Sequence, residues 1–312
     1  MKIFNNLYIP KKYKRSSLAI GNFDGVHKGH QRVFKYAKTF ARKNRSKFGV
    51  LTFSPLPVMF FNKGIKNYRL TSEDEKIKLL KDNGVNFVIK IKFNKNFSKI
   101  KAENFIKKII FKKINPNYVF VSNNFKFGNR REGDVNLLKK LGKKFNYKLL
   151  KINPYKHKKQ LVSSTRIRKF LQNGNILEAN RLLSRVWSIS GNVIRGKSLG
   201  RKLGYRTCNI RIKNYILPKA GIYAVKISLG NKKKLLKGVA YLGSRPTFSG
   251  KEIFLEINIF DIKKNFYKKK LKVYFLKFIR GDKKFSNSAA LVRQMNKDVI
   301  LAKKSLKAKL DT

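Results

Sequence analysis

Apolar positions along this chain change their spacing near residue 185. Before that point, short β-branched or aromatic runs alternate with longer stretches of helical period. SSLAIG (16–21), FGVLTF (48–53), VNFVIKIKF (85–93), NYVFVS (117–122) and YKLLKI (147–152) read as strands. Between them, Val33, Phe34, Ala37, Phe40 and Ala41 fall on one helical face, as do Phe105, Ile106, Ile109 and Ile110. The stretch SEDEKIKLLKDNG starts with Ser72 as an N-cap and Glu75 three residues later, and it stops at Gly84. Regular strand–helix–strand succession predicts an α/β domain with a parallel sheet covered on both faces. SSTRIRKFLQNG and NILEANRLLSR then predict two short helices separated by Gly174.

After Trp187 the period becomes that of strands alone. ISGNVI, RTCNIRI, IYAVKISL, LLKGVAYL, IFLEINIF and LKVYFLKFI follow at short spacing, with Gly, Asn and Lys turns such as Gly230-Asn231. Six strands without intervening helices predict an antiparallel β-barrel. A last helix, from about 288 to 306, carries Leu291, Met295, Val299 and Ala302 on one stripe. The expected division is therefore 1–185 and 186–312, resting on the change of period because no repeat or low-complexity linker marks it. A length of 312 residues suits two domains of roughly 150 residues each.

Composition narrows the function classes. The chain is 42% apolar with 25 Phe and 13 Tyr, ample for packed cores. It has no run near the roughly 18 apolar residues of a membrane span and no signal-like amino terminus. It is expected in the cytoplasm, away from membranes. The one cysteine, Cys208, has no partner thiol for a disulfide or a zinc site and reads as a small buried residue. Charge is extreme, with 76 Lys+Arg against 15 Asp+Glu and a formal net charge of +61. A basic nucleic-acid-binding protein is the rival class, but it would concentrate cations and exposed aromatics on one face. Here the lysines occupy polar positions of nearly every element while the aromatics fall at core positions. Only sequence-blind, salt-sensitive binding is expected, with Kd on the order of 10⁻⁴ to 10⁻⁶ M.

The strongest local signal is GNFDGVHKGHQ (21–31), at the carboxyl end of the first strand and the start of the first helix. An α/β sheet holds ligands there, and the free N–H groups and dipole of a helix start favour an anion. Gly21, Gly25 and Gly29 allow a sharp turn and close approach. His27 and His30, two of three histidines in the chain, are three apart and can project to one side. Near neutral pH either can donate to oxygens that gain charge during attack on phosphorus. Metal ligation by this pair lacks a convincing further ligand beyond Asp24.

GNFDGVHKGH resembles the HxGH signature of nucleotidyltransferases, and in its longer form that of bacterial bifunctional riboflavin kinase/FAD synthetases. TFSPLP (52–57) is similar to that family's TFxPHP segment, with Leu56 where histidine is usual. VSNNFKFG (121–128) resembles its flavin-side segment, and SSTRIR (163–168) its second phosphate signature. The resemblance implies ATP contacts from Gly21, Asn22, Phe23, Asp24, Gly29, Ser163, Ser164, Thr165 and Arg168. It implies a pyrophosphate-side fork from Arg166, FMN contacts from Phe53, Pro55, Pro57, Asn124 and Phe127, and in-line attack of FMN on the α-phosphorus of ATP.

In the second half, GNVIRGKSLGRKLGYRTCNI (191–210) carries glycines with Lys197 and Arg201 between them, a phosphate-loop pattern that is weak alone. Its order resembles the riboflavin kinase domain, with Gly196, Lys197, Gly200 and Arg201 toward ATP. Thr207 and Asn209 fall on that family's Thr and Asn ligands for Mg²⁺ and ATP, both hard oxygen donors. Arg206 and Cys208 replace its proline and alanine, which predicts a looser turn. By resemblance Glu256, in IFLEINIF, is the base for the riboflavin 5′-hydroxyl, and Arg280 belongs to the flavin-side loop. The expected protein is a monomer that phosphorylates riboflavin and adenylylates FMN, or one that retains a single activity of the two.

Overall fold

The computed structural model describes residues 1–195, 204–230, 234–247, 250–262 and 264–307, with backbone alone over 245–247 and 250–252. Two compact units emerge, Met1–Lys66 with Glu73–Ser163 and Asn67–Ser72 with Ser164–Thr312.

The first unit is a six-stranded sheet. Its strands are β1 (Lys2–Phe4), β2 (Ser17–Ile20), β3 (Phe48–Ser54), β4 (Phe87–Lys92), β5 (Tyr118–Ser122) and β6 (Lys148–Ile152). All neighbours pair parallel, in the order β1-β4-β3-β2-β5-β6. Between the strands run α1 (Lys28–Lys43), α2 (Pro57–Phe61), α3 (Glu73–Asp82), α4 (Lys95–Ser98), α5 (Ala102–Asn104) and α6 (Val135–Lys144). α5 continues as a π-helical segment over Phe105–Ile114.

Period-2 alternation sorts the strand residues between two cores. Ala19, Val50, Val88 and Phe120 face one side, where they meet Val33, Phe34, Ala37 and Ala41 of α1. Their neighbours Leu18, Ile20, Leu51, Ile89, Val119 and Val121 face the other, against Phe105, Ile106, Ile109 and Ile110. Each such side chain taken fully out of water contributes about 1.5–3 kcal/mol. Burial on both faces is why these runs are continuously apolar. Strand order reverses at β2, whose successors lie on opposite sides of it, so its carboxyl end opens at the crevice where such sheets bind ligands.

The second unit contains α7 (Ser164–Gln172), α8 (Ile176–Leu183) and a closed barrel. The barrel strands are β9 (Ser188–Ile194), β10 (Thr207–Arg211), β11 (Gly221–Leu229), β12 (Leu236–Thr247), β13 (Gly250–Ile259) and β14 (Lys270–Arg280). They close in the order β10-β13-β12-β11-β14-β9, all antiparallel. The terminal helix (Ser288–Lys307) is α9; its Ala302 and Leu306 pack with Ala224 and Leu276. The expected stripe is extended by Asp298, a carboxylate only 3% exposed.

The change of period lies near 185, yet α7 and α8 group with the barrel. Buried Asn180 of α8 explains this, since its amide donates to the Phe275 carbonyl of β14 and its oxygen accepts from the Trp187 N–H. Trp187 Nε1 in turn donates to the Leu70 carbonyl, tying the 67–72 segment to the same unit. Three features lie beyond the periodicity: edge strand β1, the π-helical turns, and a two-residue hairpin of Lys156–His157 with Gln160–Leu161.

Candidate active sites

The GNFDG turn leaves β2 and is held in a conformation that costs free energy. Phe23 and Val26 both have positive φ, 50° and 40°, though neither is glycine, and such positions cost about 1–3 kcal/mol each. Burial offsets this, with Phe23 3% exposed and Val26 fully inside. His27 is the N-cap of α1, and its Nδ1 accepts the His30 N–H at 3.4 Å. That leaves Nε2 as the nitrogen that carries a proton and donates. The two imidazoles stack with centroids 3.6 Å apart, and the edge of Phe23 meets His30 at 5.2 Å. The expected pairing of these histidines on one side of the first turn is what the structure builds.

Gly29 packs closely against the His27 ring of that stack. A methyl group there would lie 3.0 Å from the His27 ring and 3.3 Å from the Val162 carbonyl oxygen. Val162 immediately precedes Ser163, so the entry to the SSTR segment passes beside the histidine turn. Gly21 sits against the Phe23 ring, and Asp24 is 4% exposed. Ser164 and Thr165 open α7 within the second unit, where Arg166 lies 5.3 Å over the Phe170 ring. Arg168, expected at ATP, is buried, with its Nε on the Tyr68 carbonyl at 2.8 Å and its guanidinium 3.7 Å over the Tyr68 ring.

On the FMN side, Phe53 at the end of β3 stands 5.8 Å from Phe97 and 6.1 Å from Phe93. Pro55 follows it, Pro57 starts α2, and Leu56 between them is 2% exposed, an apolar plug where the resemblance has histidine. Phe127 is buried and stacks on Phe125 at 5.5 Å, and Asn124 is exposed. This clustering of aromatic faces suits a flat ring system.

One buried charged residue linked to this turn through Thr52 was not singled out from sequence. Lys76 of α3 is 1% exposed, with Nζ 3.4 Å from Thr52 Oγ1 and 3.5 Å from Glu73 Oε1. Thr52, also fully buried, donates to the Asn22 carbonyl in the turn at 3.1 Å. The available signal was phase, because Lys76 lies four residues before buried Leu80 on the inward stripe of α3.

In the barrel, register assembles the second candidate site. Asn209 of β10 pairs with Glu256 of β13, which pairs with Tyr241 of β12; one step along, Thr207 pairs with Asn258. Directly opposed residues share a face, so Thr207, Asn209 and Glu256 line the outer face while Ile210, Leu255 and Ile257 fill the interior. Glu256 is therefore half-buried on the face opposite its apolar neighbours. Asn209 is 5% exposed and its Oδ1 is a buried acceptor with no hydrogen-bond partner among the described residues. An orphaned hard oxygen beside a hydroxyl and a carboxylate fits Mg²⁺, which takes only one or two protein ligands and fills its shell with phosphate and water.

The departures in this segment have visible consequences. The Arg206 carbonyl, where the resemblance has proline, accepts from Asn258 Nδ2 at 2.9 Å, so an external hydrogen bond supplies restraint in place of a ring. Cys208 points away from Asn209, opposite Ile257, and burial pushes its thiol up to about 11. It is protonated at neutral pH and a poor nucleophile. Gly196, Lys197, Gly200 and Arg201 lie outside the described residues. Arg280 ends β14 and places Nε and Nη2 on the two oxygens of Asp298 at 2.9 and 2.7 Å, with Nη1 on the Gly281 carbonyl. Tyr205 is hydrogen-bonded to Asn296 on the same helix. α9 thus holds both the approach to β10 and the exit from β14. A cavity of about 1070 Å³ opens there, lined by Gly204, Tyr205, Arg206, Asn258, Phe260 and Val299 among others.

Comparison with known proteins fits this geometry. A family model described as FAD synthetase matches residues 9–166, and one described as riboflavin kinase matches 183–306. The bifunctional riboflavin kinase/FMN adenylyltransferase of Buchnera aphidicola subsp. Schizaphis graminum is 38% identical over 97% of this chain and 98% of its own. That of Escherichia coli K12 is 34% identical over 92% and 91%, and that of Bacillus subtilis 32% over 93% and 92%. A crystal structure described as a macrolide-efflux protein from Streptococcus pneumoniae has a TM-score of 0.82 at 28% identity, covering 97% of this chain and 100% of that one. No helix among the described residues is long and apolar enough to cross a membrane.

Proposed function

We propose a residue-level division of labour for this chain, which belongs to the bifunctional riboflavin kinase/FMN adenylyltransferase family. Its carboxyl-terminal domain phosphorylates riboflavin to FMN with ATP, and its amino-terminal domain transfers an adenylyl group from ATP to FMN, giving FAD and pyrophosphate. The working boundary falls near 185, where the period of apolar positions changes.

In the amino-terminal site, the triphosphate lies on the turn from Gly21 to Asp24 and the start of α1, where N–H groups and helix dipole favour it. An FMN phosphate oxygen attacks the α-phosphorus in line, and the bond to pyrophosphate breaks as the new P–O bond forms. His27 and His30 donate to oxygens that gain charge in that step. Arg166, with Ser163, Ser164 and Thr165, takes the leaving pyrophosphate. Phe53, Pro55, Pro57, Asn124 and Phe127 face the flavin, and Arg168 acts by seating α7.

In the carboxyl-terminal site, Glu256 accepts the proton of the riboflavin 5′-hydroxyl as that oxygen attacks the γ-phosphorus of ATP. Thr207 and Asn209 hold Mg²⁺, which when bound neutralises charge on the phosphates. Gly196, Lys197, Gly200 and Arg201 contribute to the ATP side. Arg280 serves the flavin side by fixing the segment after β14 through Asp298. The observation that carries this reading is the orphaned Oδ1 of Asn209 directly across the register from Glu256. We assign the protein to the cytoplasm as a monomer, and infer no specific nucleic-acid or membrane partner because its cations are spread along nearly every element rather than gathered on one face.

The test is a time course with riboflavin, ATP and Mg²⁺, resolved by chromatography. FMN should rise first and FAD follow. FMN alone would remove the adenylyl assignment, FAD formed only from added FMN would remove the kinase assignment, and neither product would remove both.

A further inference from the structure

A lysine in the interior of the FAD synthetase unit is not used by the mechanism above. The Lys76 ammonium is out of water, and its partner Glu73 keeps 29% of its side chain exposed. Such a pair is a poor stability device, because desolvation opposes it and an apolar side chain of similar size is often neutral or stabilising in its place. The charge has another use. Lys76 donates to the Thr52 hydroxyl, and Thr52 gives its single proton to the Asn22 carbonyl at 3.1 Å. In a planar trans peptide the C=O and N–H point in opposite directions. Tying the Asn22 carbonyl toward β3 therefore aims the Phe23 N–H away from it, in a turn where Phe23 already has positive φ.

We propose that Lys76 is a positioning residue of the adenylyl-transfer site: through Thr52 it sets the Asn22–Phe23 peptide, and its enclosed charge lies behind the turn that receives the triphosphate. This rests on the reading that the turn binds ATP. The lysine and threonine meet only because β3 lies between β2 and β4 and α3 packs its inward stripe against that sheet. The relay links three elements that are distant in sequence.

The experiment compares Lys76→Met, Thr52→Val and Thr52→Ser in the full chain. It measures FAD formation from FMN with varied ATP, riboflavin phosphorylation in the same preparation, and thermal melting. Lys76→Met and Thr52→Val should each lower kcat/KM for ATP in FAD formation at least tenfold, with most of the change in KM for ATP. Riboflavin phosphorylation should stay within twofold, and the melting temperature of Lys76→Met should hold or rise. Thr52→Ser, which restores a hydroxyl, should recover most of what Thr52→Val loses. FAD formation within twofold of the parent in Lys76→Met would overturn the proposal, as would Thr52→Ser as impaired as Thr52→Val. A parallel fall of both activities with melting temperature in both Lys76→Met and Thr52→Val would also overturn it, leaving a structural ion pair. His27→Asn separates the premise from the proposal. If it leaves FAD formation intact, the ATP reading of the turn fails; if it abolishes FAD formation while Lys76→Met does not, only the Lys76 assignment fails.

Discussion

The two proposed sites would meet the same triphosphate with opposite secondary structure. In the α/β domain the proposed phosphate cradle is a helix start, with its turn and both histidines in one continuous segment from Gly21 to His30. In the barrel the proposed groups stand on a strand face and come from β10 and β13, brought together by register. A helix N-terminus brings its own donors and dipole, so the first site needs few charged side chains. A strand face has no comparable dipole, so the second depends on Thr207, Asn209, Glu256 and a cation. The first site should therefore respond most to changes within one turn, and the second to anything that shifts one strand against another.

The sharpest break in that comparison is Glu256→Gln. It should lower FMN formation by about 10²- to 10⁴-fold while FAD formation from added FMN persists, measured as initial rates of each product. Next is His27→Asn, which keeps a capping oxygen for α1 but removes the imidazole. FAD formation should fall by roughly 10²- to 10³-fold with riboflavin phosphorylation retained. A smaller effect comes from the latch between the barrel and its terminal helix. Asp298→Ala leaves Arg280 without its carboxylate and should cost about 2 kcal/mol, the low end for a broken charge pair because Arg280 keeps 22% of its side chain in water. Denaturant unfolding followed at Trp187, which lies inside that unit, reads it.

The smallest effect expected is at Asp134, the N-cap of α6. Hydrogen bonds from the Leu137 and Asn136 N–H groups, together with Lys126, hold its carboxyl below the ordinary 3.8. A depressed folded-state pKa means the stabilisation is present at neutral pH and lost as pH falls through the range below 3.8. Asp134→Ala should melt slightly below the parent at pH 7, and the gap should close in acid.

Legibility differed between the sites for the same reason. His27, His30 and Gly29 lie within four residues, and helical geometry alone places them together. Asn209 and Glu256 could be named singly by resemblance, but their opposition is a property of strand register, which no local pattern reports. Arg168 and Arg280 read as ligand-side cations, and no local pattern reports the contacts that tertiary packing gives them, with Tyr68 for one and Asp298 for the other. Lys76 was not singled out from sequence, and its phase with Leu80 was the one local sign of its burial.

The sequence by itself determined what short-range physics encodes. The principal strands and the first and last helices, the α/β and barrel classes and the histidine turn follow from period, turn chemistry and neighbouring residues. Tertiary structure alone decided what depends on elements meeting. It assigned α7 and α8 to the barrel through Asn180, joined the Asn209–Glu256 pair, and buried Lys76 against Thr52. Desolvation and register are properties of surfaces brought together, so these features appear only once the chain has folded.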